Sequence, residues 1–433
     1  MSFPRYPKYK ASGVEWLGEV PQHWELRRLK HNLRLLTEKT DRRDHAVALE
    51  NIESWTGRFI ATETEFEGEG VAFRSGDILF GKLRPYLAKA FLADSSGEAV
   101  GDFHVMRPIA DIDGRFAQYQ ILNREFIAIV DGSTFGSKMP RASWEFVGGM
   151  KLATPPRPEQ TLIASFLDRE TSKIDGLVGE QRRLIELLKA KRQAVISHAV
   201  TKGLNPHAPL KPSGIEWLGE IPAHWRASAL KHLAKAGVKT FTDGDWIESP
   251  FITSEGVRLI QTGNVGIGFY KEQGFRFVSD ETFEKLHCTE VEPRDVLICR
   301  LDGPVGRACL APDLGVRMIT SVDNAILKVA DDIAPDFVVA LLSSVPWISW
   351  IDALCRVGGG FRLRVSRSQL GELRVPVPPF EEQLAIARYL DSEITKWDAL
   401  TAEAERGIEL LQERRTALIS AAVTGQIDLR GAS

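Results

Sequence analysis

Cysteine is scarce in this chain of 433 residues: there are four, Cys288, Cys299, Cys309 and Cys355, all in the second half and none in CxxC spacing. That excludes a disulfide framework and a thiolate zinc site, and it predicts reduced, mostly buried thiols. A surplus of either charge is also missing, since 55 Lys+Arg meet 58 Asp+Glu for a formal net charge of -3. Bulk charge therefore announces no polyanionic partner, and any nucleic-acid site has to be local. No apolar run reaches the roughly 18 residues of a membrane span. The best stretch, Val338 to Cys355, is broken by Ser343, Ser344, Pro346 and Asp352. Met1 to Lys10 mixes Arg5, Lys8 and Lys10 with prolines and has no apolar core, so no secretory signal is expected and the reading is cytoplasmic. Low complexity is absent too: 43% hydrophobic and 26% charged residues describe a globular chain, and its length predicts two or three domains.

Catalytic signatures are the next absence. Gly76-Asp-Ile-Leu-Phe-Gly81-Lys82 fits the first seven positions of a phosphate-binding GxxxxGK loop, but Leu83 stands where Ser or Thr must hold magnesium. The interior Ile78-Leu79-Phe80 moreover reads as a strand and not a loop. Val377-Pro378-Pro379-Phe380 resembles the core of an amino-methyltransferase site, yet Val377 replaces the Asn or Asp that would accept the amino protons. Gly263-Asn-Val-Gly-Ile-Gly268 and Gly358-Gly-Gly360 lack the strand-to-helix setting of a cofactor loop and read as turns. With no GxSxG and no metal-ligand spacing, the chain is expected to be non-catalytic, with no metal and no cofactor of its own.

What is present is an internal repeat, the signal that decides architecture. Ser12-Gly-Val-Glu-Trp-Leu-Gly-Glu-Val-Pro-Gln-His-Trp24 returns 201 residues later as Ser213-Gly-Ile-Glu-Trp-Leu-Gly-Glu-Ile-Pro-Ala-His-Trp225. Pro155-Pro-Arg-Pro-Glu-Gln160 returns 223 residues later as Pro378-Pro-Phe-Glu-Glu-Gln383, and Ala199-Val-Thr201 as Ala422-Val-Thr424. The frames match while residues 25–154 and 226–377 share little. Such a pattern suits two different recognition surfaces on one support. After each double proline a 3,4 spacing runs through Ile163, Leu167, Ile174, Leu177, Leu184, Leu188 and Val195, and through Ile386, Leu390, Trp397, Leu400, Ala404, Leu411 and Leu418. Both runs predict coiled-coil helices of about 60 Å that pack on each other. The intervening modules read as mixed α/β, with strands at Val71 to Arg74, Asp77 to Phe80, Ala88 to Ala93, Phe103 to Pro108, Asp295 to Ile298, Ala308 to Ala311 and Ala325 to Val329. Helices are predicted over Phe116 to Asp131 and Pro335 to Cys355.

Local basic clusters occupy equivalent places. Lys138 and Arg141 precede the first double proline, and Arg362, Arg364 and Arg367 precede the second, in Gly/Ser-containing loops suited to phosphates or groove edges. Lys82, Arg84, Tyr86 and Lys89 in the first module, and Arg300 and Arg307 in the second, complete the candidate DNA-binding set. Trp16, Trp24, Trp217 and Trp225 recur with the frame and are read as packing residues.

The two EWLGE-containing segments, the PPxxEQ helix openings and the Ala-Val-Thr helix ends closely resemble the specificity subunit of type I DNA restriction-modification systems over nearly the whole chain. The resemblance implies an α/β (α+β) fold of two target-recognition domains in pseudo-twofold repeat, joined by two long antiparallel coiled-coil helices. The expected divisions are 1–154, the first recognition domain; 155–202, the first helix; 203–377, linker and second recognition domain; and 378–433, second helix and tail. It further implies that each domain reads half of a bipartite double-stranded DNA target. The helices would act as spacer and docking surface for modification (methyltransferase) subunits, two of them, and a restriction (motor-nuclease) subunit would join them. S-adenosylmethionine, ATP and magnesium would reside on those partners. A recognition subunit serving a related methyltransferase-nuclease arrangement, and a coiled-coil protein adaptor without DNA specificity, are the rival readings.

Overall fold

The computed structural model describes residues 3–41, 45–62, 69–134, 136, 138–301, 303–357 and 363–431. The chain forms two compact units, Met1–Arg182 with Glu405–Ser433, and Arg183–Ala404. Both are mixed α/β and are assembled from the same parts. In the first unit, strands Leu33–Leu36, Phe103–Pro108, Ile78–Gly81 and Ala90–Leu92 form an antiparallel sheet in that order. In the second, Phe241–Asp243, Asn324–Leu327, Val296–Cys299 and Ala308–Leu310 repeat the same order. A second small sheet follows in each, where Gly97–Val100 runs parallel to Ala46–Val47 and Met318–Thr320 runs parallel to Val257–Ile260.

The central strand of each larger sheet is buried on both faces. Ile78 and Phe80 join a core with Met106, Phe126 and Val130, while Leu79 between them joins Val47, Phe73, Phe91 and Val105. Val296 and Ile298 likewise face Phe337 and Trp347, and Leu297 and Cys299 face Ile260, Cys309 and Ile326. Successive side chains alternate faces, so covering both faces requires the unbroken apolar run that these strands show. Gly76–Lys82 is thus a turn and a core strand, and no phosphate loop. The acid opening each strand is held within the sheet: Arg107 donates twice to the buried Asp77, at 2.7 Å each, and Lys328 lies 3.4 Å from Asp295.

The repeated frame motifs meet each other. Trp24 and Trp225 are fully buried. Glu159 of the first PPxxEQ accepts from Tyr6 Oη at 2.6 Å and Trp24 Nε1 at 3.2 Å, and sits 2.8 Å from His23 Nε2. Its twin Glu382 lies 2.7 Å from His224 Nε2. The adjoining glutamine latches the recognition module to the helix start. Gln160 accepts from the Asp113 amide and donates to the Asp111 and Pro155 carbonyls; Gln383 does the same with Ala334, Asp332 and Pro378. These amides and carbonyls lie outside regular structure and need partners, and a glutamine, carrying both a donor and an acceptor, satisfies them together.

The long helices span Arg157–Lys202 and Phe380–Val423. Within the first unit they run antiparallel, joined by Arg415 Nε to Asp175 at 3.0 Å; within the second, Arg192 Nη1 meets Asp398 at 2.6 Å. These two ion pairs occupy repeat-equivalent positions. The expected seam holds at Ile163, Leu167, Ile174 and Leu188 but not at Leu177 and Leu184, which are exposed; Val178 and Ile185 are buried instead. A helix turns 3.6 residues per turn, so a strict 3.5 pattern drifts over this length and a four-residue step restores it. The second helix makes the same slip, leaving Leu400 exposed between the buried Trp397 and Ala404.

Both shorter predicted helices are broken in two. Asn123 ends Gly114–Ile121 and caps Arg124–Gly132 by accepting from the Glu125 amide at 2.9 Å. Pro335–Leu342 and Val345–Val357 meet at a 57° bend, at Ser343 and Ser344. Among the described residues no single helix is long and apolar enough to cross a membrane. Cys288, Cys299 and Cys309 are buried and Cys355 half-buried, all unbridged; burial raises the Cys288 and Cys309 thiols to about 11 and about 12.

Candidate nucleic-acid interface

Candidate residues far apart in sequence converge at the end of the central strand. In the first unit the chain leaves Gly81 with the Lys82 amide donating to the Asp102 carbonyl at 2.9 Å and the Ala142 amide donating to the Lys82 carbonyl at 2.9 Å. Leu83 bridges to Arg141, and the Arg84 amide donates to Pro140 at 2.9 Å. The loop before the double proline is therefore stitched to the strand end. Asp102 accepts both arms of the Arg141 fork, at 3.1 and 2.8 Å, and lies 3.7 Å from Lys82 Nζ. Arg84, Tyr86 and Lys138 are exposed. Arg84 and Ala88 adopt left-handed backbone, at φ 50 and φ 48, which turns the segment tightly enough to present Tyr86 outward.

The second unit repeats this stitching. The Arg300 amide donates to the Asp323 carbonyl at 2.8 Å, the Val365 amide donates to the Arg300 carbonyl at 3.1 Å, and Leu301 bridges to Arg364. Arg364 pairs with Asp323 at 2.9 Å as Arg141 pairs with Asp102. Arg367 reaches Asp243 at 3.3 Å and the Phe241 carbonyl at 3.2 Å. Arg364 and Arg367 remain about half exposed, so both keep donors for a ligand. The acids hold the forks in place, an arrangement that suits bidentate recognition of phosphate or base edges.

Three candidates leave the surface. Arg300 is buried; it donates to the Val365 and Val322 carbonyls and pairs with Asp243 at 3.0 Å, and burial lowers its pKa. Arg307 is buried and donates to the carbonyls of Val265, Thr262, Leu301 and Pro304 at 2.7 to 3.2 Å. Loop carbonyls outside regular structure need donors, and a five-donor guanidinium supplies several at once. Lys89 gives its ammonium to the Leu49 carbonyl at 2.6 Å and is lowered by burial. All three organise the loops behind the surface. Arg362 lies outside the described residues.

Two features had no sequence signal of their own. Asp102 and Asp323, one residue among the 58 acids each, become the anchors of the basic forks only through the fold. Asn51 and Asn264 are buried twins, each accepting from an amide three residues back and donating to carbonyls beyond the turn. Their offset differs from that of either frame motif, which hid the pair. Among the described residues no cluster of His, Cys, Asp and Glu could hold a metal ion.

No family model matches the chain. Among curated proteins it is 23% identical over 328 residues to the type I restriction enzyme MjaVIII specificity subunit of Methanocaldococcus jannaschii, covering 74% of this chain and 71% of that one. It is 22% identical over 316 residues to the EcoBI specificity subunit of Escherichia coli, covering 70% and 64%. The same fold occurs in a chain solved in a study of complex assembly and conformational transition of the type I R-M system. The TM-score there is 0.71 at 18% identity, over 93% of this chain and 98% of that one. It also occurs in the HsdS subunit of Thermoanaerobacter tengcongensis, with a TM-score of 0.54 at 18% identity, over 96% and 100%. The resemblance and the fold class read from the motifs are borne out.

Proposed function

We propose that this chain is the DNA sequence-specificity subunit of a type I restriction-modification complex, non-catalytic itself, with one half of a bipartite target read by each unit. The observation that carries this reading is the pair of matched strand ends. Lys82 and Arg141 around Asp102, and Arg364 and Arg367 around Asp323 and Asp243, are held by the same backbone stitching yet present different side chains. One scaffold offering two unlike basic surfaces is what reading two unlike half-sites requires. The relatives named above are specificity subunits, which gives the adaptor reading no support.

The finer parts of the reading rest on the resemblance and on the chain's own chemistry. Modification and restriction subunits supply S-adenosylmethionine, ATP and magnesium, and the assembly works in the cytoplasm. Two methyltransferase subunits are favoured because the exposed leucines of the long helices come in repeat-equivalent pairs, Leu177 with Leu400 and Leu187 with Leu410. Exposed leucines on a helix give a partner apolar surface to bury.

Methylation-site mapping tests the function: cells expressing the chain with its modification subunit should gain methyladenine at two short unlike half-sites around an unspecified spacer. An assembled complex that adds no motif would refute it. For the basic loops, replacing Arg362, Arg364 and Arg367 with Ala should weaken binding of the complex and reduce the salt slope by about one for each phosphate no longer neutralised. Unchanged affinity and slope would remove them from the site.

A further inference from the structure

Trp246 is 72% exposed. Tryptophan has the largest apolar surface of any side chain, and leaving it in water forgoes the burial that usually holds it. Other exposed aromatics of this unit have partners: Arg258 stacks on Phe275 at 5.2 Å and Lys271 on Phe269 at 5.8 Å. Among the described residues Trp246 has neither a ring nor a cation against it, and its indole N–H has no acceptor.

Its position is built. Gly244 and Asp245 follow the strand Phe241–Asp243 and are tied to the turn at 320–324. The Gly244 amide donates to Asn324 at 2.9 Å, that of Asp245 to Thr320 at 2.8 Å, and that of Val322 to Asp245 at 3.0 Å. A Cβ on Gly244 would lie 2.4 Å from the Thr320 and Ser321 carbonyls, so only glycine permits this approach. The same turn carries Asp323, which holds Arg364, and Asp243 holds Arg367. Three chain steps put the Trp246 Cα within roughly 11 Å of that of Asp243. The backbone that carries Trp246 is therefore fixed to the same turn and strand end that hold the arginine forks. The equivalent strand of the first unit, Leu33–Leu36, continues into Thr37-Glu38-Lys39-Thr40 and brings no aromatic.

We infer that Trp246 is a specificity-determining residue, giving the half-site read by the second unit an apolar base contact at a place where the first unit's equivalent segment, Thr37 to Thr40, carries no aromatic. This rests on the DNA-recognition reading above. A planar apolar face with one N–H suits a base face or a thymine methyl in a groove that neighbouring arginines have already engaged.

The test uses the assembled complex with its modification subunits and a duplex carrying the bipartite motif mapped for the wild type. Trp246→Ala should weaken binding about tenfold or more, and Trp246→Phe should recover most of it. The methylation map should loosen in one half-site only, with the thermal midpoint unchanged because the side chain is exposed. Unchanged affinity with an unchanged motif overturns the inference, as does equal loosening of both half-sites. A wild-type complex that marks no bipartite motif overturns the function itself, and the two failures are thereby told apart.

Discussion

His104 shows how a single side chain behind the candidate surface becomes pH-sensitive. It is buried against Trp144, with ring centroids 5.6 Å apart, and donates from Nε2 to the Ala142 carbonyl at 3.0 Å, one residue from Arg141. Burial, reinforced by nearby Lys82, pushes its pKa down to about 4. Folded His104 stays neutral where the unfolded chain, with a pKa near 6.5, has begun to bind a proton. Its contribution to stability is therefore intact above about pH 6.5 and is lost as pH falls toward 4. Over that window the unfolding free energy should drop by up to about 3 kcal/mol, and His104→Gln should flatten the slope in pH-dependent denaturant titrations. A slope equal to the wild type's would show that His104 is not the group titrating. This residue was unreadable from sequence, as were the burials of Arg300 and Arg307. An arginine at a strand end looks like a surface cation until the fold shows how many loop carbonyls lie around it. Tryptophans 24 and 225, by contrast, were legible as packing residues because the repeat duplicated them along with their frame.

At the scale of elements, periodicity located both long helices and the central strands, since each pattern follows directly from helix and strand geometry. It did not locate the slip at Leu177 and Leu400. A seam read at constant phase cannot show where a straight helix drifts away from it. That slip has a consequence, because it turns Leu177 and Leu400 outward, and with the off-seam Leu187 and Leu410 it leaves exposed leucines at repeat-equivalent places: Leu177 and Leu410 in the first unit, Leu400 and Leu187 in the second. Each is 47 to 60% exposed, so substitution should alter stability by no more than about 0.5 kcal/mol. On the proposed reading of two modification subunits, Leu177→Glu with Leu410→Glu should therefore leave a folded chain that retains one of them, read by native mass spectrometry of the purified complex. All four substitutions should remove both. Full retention in the fourfold variant would move docking to another surface.

For the whole molecule, the repeat supplies what the proposed reading needs, two half-sites treated independently by one chain. Each unit holds its own stretch of both helices and its own interhelical ion pair, Asp175 with Arg415 and Asp398 with Arg192, and its own latch, Gln160 or Gln383. The stretches between those ion pairs, 176–191 in one helix and 399–414 in the other, belong to neither latch. Removing one heptad from each, 179–185 and 402–408, keeps the seam in phase and both ion pairs intact. Seven residues shorten a helix by about 10 Å, which corresponds to about three base pairs at roughly 3.4 Å each. If the helices set the separation of the half-sites, methylation mapping of the matched deletion should return both half-site sequences unchanged around a spacer shortened by about that amount. A changed half-site sequence in the matched deletion would mean that the helices take part in base recognition, and an unchanged spacer would mean that another element sets the distance.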